Sequence, residues 1–166
     1  MVSIEPQGAE VAADWGNLRS PENYLGYSRT SGFRSPEPLA TATSRTYTVP
    51  PTLPLNGWAI SGDWMVMGDS IRLARPLGRI AYRFHARDAN LVMRLVASDR
   101  SVRFRVRIDG KPPGDAHGAD IDANGAGAVN EPRLYQLIRQ TGRIDDRLLE
   151  IEFLDPDVEA YSFTFG

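Results

Sequence analysis

Val102-Arg103-Phe104-Arg105-Val106-Arg107-Ile108 is the stretch that decides the fold. Apolar and Arg residues alternate through it without error, and the turn pair Asp109-Gly110 closes it. Successive side chains of an extended chain point to opposite faces, so this pattern reads as a strand with one buried and one wet face. Ile80-Ala81-Tyr82-Arg83-Phe84-His85-Ala86-Arg87 repeats the alternation. Residues 90–97 are apolar except at Arg94 and read as a further strand. Residues 148–154 and 161–165 read as two more, joined by an Asp155-Pro156-Asp157 turn. Shorter strands are expected over 55–60, 64–67 and 71–74, punctuated by Gly62-Asp63 and Gly68-Asp69.

One segment is ambiguous. In residues 133–140, Leu134, Leu137 and Ile138 have helical spacing and Gly142 could stop a helix, while Tyr135, Leu137 and Arg139 can share a strand face. Its neighbours are strands, so a strand is expected. Prolines at 36, 38, 50, 51, 54, 112 and 113 suit loops and strand edges. About nine to eleven short strands with frequent turn signals and no internal repeat predict an all-β, antiparallel β-sandwich, with a jelly roll as the expected form. The terminal Gly166 follows directly on a strand, so the C-terminus should be pinned in a sheet.

The 166 residues suffice for one domain with a sizeable core. Residues 1–20 read as a linker or N-terminal extension and residues 21–166 as the sandwich. Trp15 and Leu18 are expected to dock that extension onto the body. Nineteen basic against 21 acidic residues give a net charge of -2, which argues against a nucleic-acid binder. Eighteen of the basic residues are Arg, with Lys111 alone as Lys. This suits either a GC-rich genome or selection for planar, bidentate recognition. Without cysteine the chain holds no disulfide, thiolate metal site or thiol chemistry. No apolar run approaches the roughly 20 residues needed to cross a bilayer, and residues 1–7 do not begin a signal peptide.

Catalytic groups are sparse. His85 is expected on a wet strand face between Arg83 and Arg87, and His117 lies in the loop 112–118. There is no G-x-S-x-G and no P-loop, so an intrinsic enzyme activity is not expected. The sharpest local pattern is Asp120-Ile121-Asp122-Ala123-Asn124-Gly125 with Glu131. Asp120, Asp122, Asn124 and Glu131 occupy the oxygen-ligand positions of a calcium loop, with Gly125 at its bend. Gly127 in place of an apolar residue, Pro132 and the lack of a preceding helix speak against an EF-hand. The alternative is a polar connection built on Asx turns.

Tyr24, Tyr27, Trp58, Trp64, Tyr82, Tyr135 and Tyr161 could stack on sugars, whose C–H faces are weakly apolar. Trp58 and the alternating sets Tyr82-Phe84 and Tyr161-Phe163-Phe165 read rather as core. Tyr24, Tyr27, Trp64 and Tyr135 flank turns or mixed faces and are the stacking candidates. Arg103, Arg105 and Arg107 form an Arg ladder that Arg83, His85 and Arg87 would extend if their strands paired. It reads either as a docking face for an anionic ligand or as a solvated face balanced by Glu150 and Glu152.

These motifs resemble a known family. Leu18-Arg19-Ser20-Pro21-Glu22-Asn23-Tyr24-Leu25-Gly26-Tyr27, Leu55-Asn56-Gly57-Trp58-Ala59 and Gly62-Asp63-Trp64 are similar to the C-terminal domain of thioredoxin-like proteins of the DipZ, cytochrome c biogenesis type. So are residues 81–88, Arg105-Val106-Arg107-Ile108-Asp109-Gly110, His117-Gly118, residues 133–139, and residues 153–156 through 160–166. The resemblance covers residue 17 to the end. It implies a last domain that is a β-sandwich like those of carbohydrate-binding modules. In that family, the resemblance implies, a thioredoxin-like thiol–disulfide oxidoreductase domain with a CxxC motif precedes it, on the extracytoplasmic side. Those cysteines are missing here, so redox activity does not carry over. Met1-Val2 is then expected to begin an excised piece, and residues 3–16 to be the tail of an interdomain linker.

Three functions follow as expectations. The first is a non-catalytic domain that needs no cofactor and holds a glycan on Tyr24, Tyr27, Trp64 and Tyr135, with Arg107, Asp109 and His117 on its hydroxyls. The second is an interaction module that positions the thioredoxin-like domain or pairs with a second copy of itself. The third is a structural domain stabilised by calcium at Asp120, Asp122, Asn124 and Glu131. None involves nucleic acid or membrane insertion.

Overall fold

The computed structural model of the protein describes residues 12–41, 43–97 and 99–166. Among these residues the chain is all-β apart from one 3-10 turn over Gly114–Ala116. The strands are β1 (Asn23–Tyr24), β2 (Ser44–Tyr47), β3 (Trp58–Val66), β4 (Ile71–Leu73), β5 (Arg79–Phe84), β6 (Asp88–Leu95), β7 (Val102–Ile108), β8 (Ala126–Val129), β9 (Arg133–Arg139), β10 (Arg147–Phe153) and β11 (Val158–Phe165). All pairings between them are antiparallel.

They form one curled sheet in the order β8-β7-β10-β5-β3-β4-β11-β6-β9, with β1 on β11 and β2 on β3. The sheet folds into a sandwich because β3 serves both halves. Trp58 to Ser61 pair with β5, whereas Gly62 onward pairs with β2, and Trp64 to Val66 pair with β4. The corner is Gly62, with a φ of 93° and space for a Cβ only 3.0 Å from the Gly78 Cα. An L side chain there would be strained as well as crowded. In sequence, Gly62-Asp63 reads as a turn between two strands. The structure instead runs one strand of nine residues through it. A glycine advertises unusual backbone, and a bend within a strand uses that freedom as well as a turn does.

The alternating residues of the two halves meet inside. Trp64 of β3 packs edge-on against Phe153 of β10 at 6.0 Å, Tyr82 of β5 lies 4.7 Å from Phe163 of β11, and Phe104 of β7 meets Tyr135 of β9 at 6.4 Å. The ambiguous segment 133–139 is therefore strand β9, with Tyr135, Leu137 and Ile138 buried. β8 was not legible: Ala126-Gly127-Ala128-Val129 has no polar alternation, and it becomes a strand by pairing with β7.

β5 and β7 do not pair with each other; β10 lies between them. Glu150 stands opposite Arg107, and Glu152 opposite Arg105. Arg79 donates to Glu152 at 2.9 Å. The Arg ladder is thus interleaved with carboxylates, as its solvated reading requires. His85 follows the end of β5 and is buried, a correction to its expected wet face. Its backbone N–H donates to the Ser20 hydroxyl at 2.8 Å, and its Nδ1 lies 2.5 Å from Asp146.

Both ends of the described chain are tied to the β5–β6 connection. The Asp88 and Gly166 main chains exchange two hydrogen bonds, Arg87 donates to the Ala12 carbonyl, and the Arg19 N–H donates to the His85 carbonyl. Leu18 packs on the core as expected. Trp15 does not dock; it is 78% exposed.

Candidate functional site

The exposed aromatic surface starts at β1. Asn23 turns inward, where its side-chain amide donates to the Tyr82 hydroxyl at 3.0 Å and to the Ser31 carbonyl at 2.8 Å. Alternation then sends Tyr24 outward, opposite Ser162 of β11 and half-buried. The Arg29 guanidinium lies 3.8 Å from its ring centre. The next N–H, of Leu25, donates to the Tyr161 carbonyl at 2.8 Å. Gly26 then passes so close to Gly68 and Asp69 that a Cβ would fall 2.4 Å from a main-chain oxygen. That approach lets the Tyr27 N–H reach the Met67 carbonyl at 3.0 Å and leaves the Tyr27 ring 47% exposed.

Beside these rings lies a charged cluster on β4, β11 and β6. Register places Arg72, Glu159 and Arg94 in one cross-strand row. Glu159 is 1% exposed. Its Oε1 accepts from Nε of Arg72 at 2.8 Å and from a terminal nitrogen of the same group. Its Oε2 accepts from Nε of Arg94 at 2.9 Å and from the Tyr161 hydroxyl at 2.6 Å. Burial pushes the Glu159 carboxyl up, but the hydrogen bonds from Tyr161, Arg94 and Arg72 outweigh it and hold the group below the usual carboxylate range. Burial, reinforced by the bond to Glu159, pushes the Tyr161 phenol up to about 12. The Arg94 guanidinium lies 5.6 Å from the Tyr161 ring centre.

A concave surface lies elsewhere, at one end of the sandwich. It is a cleft of about 420 Å³ lined by Ile108, Asp109, Lys111, Gln140, Arg147 and neighbours, with no aromatic ring. Asp109 and Gly110 take positive φ of 51° and 78° in a two-residue hairpin turn, closed by reciprocal bonds between Ile108 and Lys111. The turn accounts for the left-handed Asp109, whose carboxylate accepts from Arg147 at 3.0 Å and from the Leu148 N–H at 2.9 Å. Gln140 ties Arg147 to the body, accepting from its Nε at 3.1 Å and donating to the Ala86 carbonyl at 2.9 Å.

The expected site residues do not come together. Tyr24 and Tyr27 share one surface. Asp109 lines the cleft, Arg107 stands beside Glu150 on β7, and His117 is exposed with Nδ1 2.9 Å from the Gly118 carbonyl oxygen. Trp64 and Tyr135 are corrections: both are 0% exposed and offer no face for stacking. Trp64 donates Nε1–H to the Ser61 carbonyl at 2.8 Å. The Tyr135 hydroxyl accepts from the Asn130 and Glu131 N–H groups and donates to the Glu131 carbonyl. A polar tip let each ring sit in the core with its donor satisfied, so flanking polarity was a misleading sign of exposure.

The Asp-rich loop is a turn. Asp122 accepts from the Asn124 and Ala126 N–H groups at 2.9 and 3.0 Å, and Asp120 accepts from the Gln136 N–H at 2.7 Å and pairs with Arg133 at 2.9 Å. Glu131 also pairs with Arg133, at 3.3 Å. Among the described residues no three His, Asp or Glu side chains converge on one point that could hold a metal ion. Ser20, His85 and Asp146 lie together but are not wired as a triad. The Ser20 hydroxyl donates to Asn56 at 2.5 Å and accepts from the His85 main chain, not from its ring.

Arg72, Arg94, Glu159 and Tyr161 were missed as site residues. The available signals were Arg94 interrupting an apolar run and Glu159 two positions before Tyr161. Neither reveals that the two arginines flank one carboxylate, because β4 and β6 meet only through β11. A comparison with curated proteins finds no match. A family model described as the thioredoxin-like C-terminal domain matches residues 20–166.

Proposed function

The chain belongs to the thioredoxin-like C-terminal domain family, and on that premise we propose that it is a non-catalytic accessory domain resembling a carbohydrate-binding module, which holds a glycan on the extracytoplasmic side beside a thiol–disulfide redox domain of the DipZ type. One observation carries the reading. Tyr27 is exposed and Tyr24 and Tyr161 are half-buried, and β1, the turn after it and β11 bring the main chains of Tyr24 and Tyr161 side by side, with Tyr27 on the turn that follows. Rings offer the flat apolar faces that pack on sugar C–H groups, and Arg94, Arg72 and Asp69 supply planar polar groups for hydroxyls. The buried Trp64 and Tyr135 have no part in it, and calcium at the Asp-rich loop does not enter it.

The test is calorimetry against neutral oligosaccharides at millimolar concentration. Tyr27→Ala is expected to weaken binding by about 1–3 kcal/mol, the range for loss of a stacking platform, with an unchanged melting temperature. Absence of heat with every sugar would overturn the reading.

A second reading is favoured by Trp15, which is bare on a segment tied down at Ala12 and Arg19. An exposed indole on a segment tethered at both ends suits an interaction module that positions the thioredoxin-like domain or a second copy of this chain. Sedimentation of the domain alone and with added thioredoxin-like domain separates the readings, since a Trp15→Ala change should weaken association and leave sugar binding untouched.

A further inference from the structure

We infer that the row Arg72–Glu159–Arg94 is a carboxylate-binding subsite, and that the glycan held beside it is acidic. The inference rests on the glycan reading above and adds the charge of the ligand. Glu159 is 1% exposed and lies beneath two guanidiniums whose side chains are 34% and 48% exposed. Its hydrogen bonds engage Nε and one terminal nitrogen of Arg72 and only Nε of Arg94. The remaining N–H groups of both guanidiniums face no other carboxylate among the described residues.

The row carries two cations and one anion, so it retains a unit of positive charge on a chain whose net charge is -2. The buried carboxylate fixes both guanidiniums, which lowers the entropy lost when they grip a ligand. Planar guanidinium donors match a carboxylate in a way that hydroxyls do not. Tyr161, with its phenol hydrogen committed to Glu159, keeps its ring beside Arg94. An acidic sugar could therefore place its ring on the tyrosines and its carboxylate on the arginines. Asp69, near Tyr161, and Arg29, over Tyr24, are further charges at this surface.

The experiment is calorimetry at low salt on the intact domain, with a hexuronate oligosaccharide, its neutral hexose counterpart and a poly-glutamate peptide. The expected result is that the hexuronate binds about tenfold more tightly than the neutral sugar, a difference that salt erodes. Arg94→Gln should remove this difference by weakening the hexuronate about tenfold more than the neutral sugar, with an unchanged circular-dichroism spectrum showing that the domain is still folded. Arg72→Gln should act in the same direction. Equal affinity for acidic and neutral sugars would overturn the inference and leave the glycan reading standing. So would an Arg94→Gln protein that keeps the preference. Poly-glutamate binding as tightly as the hexuronate would overturn the sugar part, and no binding of either sugar would overturn both proposals.

Discussion

At the scale of single residues, the ion pairs of this protein differ in what they can contribute. Asp155 accepts from the side chain and main chain of Arg103, bonds that hold its carboxyl well below the usual range, at about 2. A depressed folded-state value means that the stabilisation is present above the unfolded pKa and is lost as pH falls through the folded value. The pH window therefore runs from about 4 down to about 2. The pair is largely in solvent, so screening by water and salt keeps its contribution to stability small. An NMR titration should find the Asp155 carboxyl still ionised at pH 3, and Arg103→Gln should return it towards ordinary behaviour. Glu159 is a different case, because its partners compensate a buried charge. Removing both arginines at once should destabilise the fold by about 3 kcal/mol or more, as expected for a buried charge left alone, measured by urea denaturation. Tyr161 and the buried Tyr82, both pushed up by burial, should be late phenols in an alkaline absorbance titration, Tyr161 ionising near 12.

At the scale of elements, β3 and β9 explain where local reading succeeds and where it stops. Strict alternation marked residues 102–108, where β7 falls, and residues 80–87, of which β5 takes only the part up to Phe84. β3 passes between the two halves at Gly62, a feature local pattern cannot distinguish from a turn. Gly62→Ala is expected to cost about 1–3 kcal/mol through backbone strain at positive φ, read as a lower denaturation midpoint. In β9, Tyr135→Phe removes the hydroxyl that satisfies the Asn130 and Glu131 N–H groups and the Glu131 carbonyl, at a cost of about 1–3 kcal/mol for polar groups left unpaired. In the same turn Glu131 commits its backbone to Tyr135 and pairs its side chain with Arg133.

At the scale of the whole molecule, β11 sits between β4 and β6 and also receives β1. It forms late in the sequence and pairs with strands far earlier, so non-local closure dominates folding. Refolding is expected on the millisecond-to-second scale, measurable by stopped-flow tryptophan fluorescence. The three tryptophans report differently. Trp58 and Trp64 are buried and should shift strongly on unfolding, whereas Trp15 is bare and should shift little. A Trp15→Phe variant should thus keep nearly all of the unfolding signal.

By itself the sequence determined the fold class, most strand positions and the absence of thiol chemistry, because the period of apolar residues and the residue inventory are local properties. The resemblance carried in its motifs also pointed to the family that residues 20–166 match. Only the tertiary structure decided which polar-tipped rings are sunken, that β10 interleaves its carboxylates with the Arg ladder, and that Arg72, Glu159 and Arg94 stand in one row. Those facts depend on which strands become neighbours. Pairing is settled by how the two halves close over a shared core, and no stretch of chain contains that information on its own.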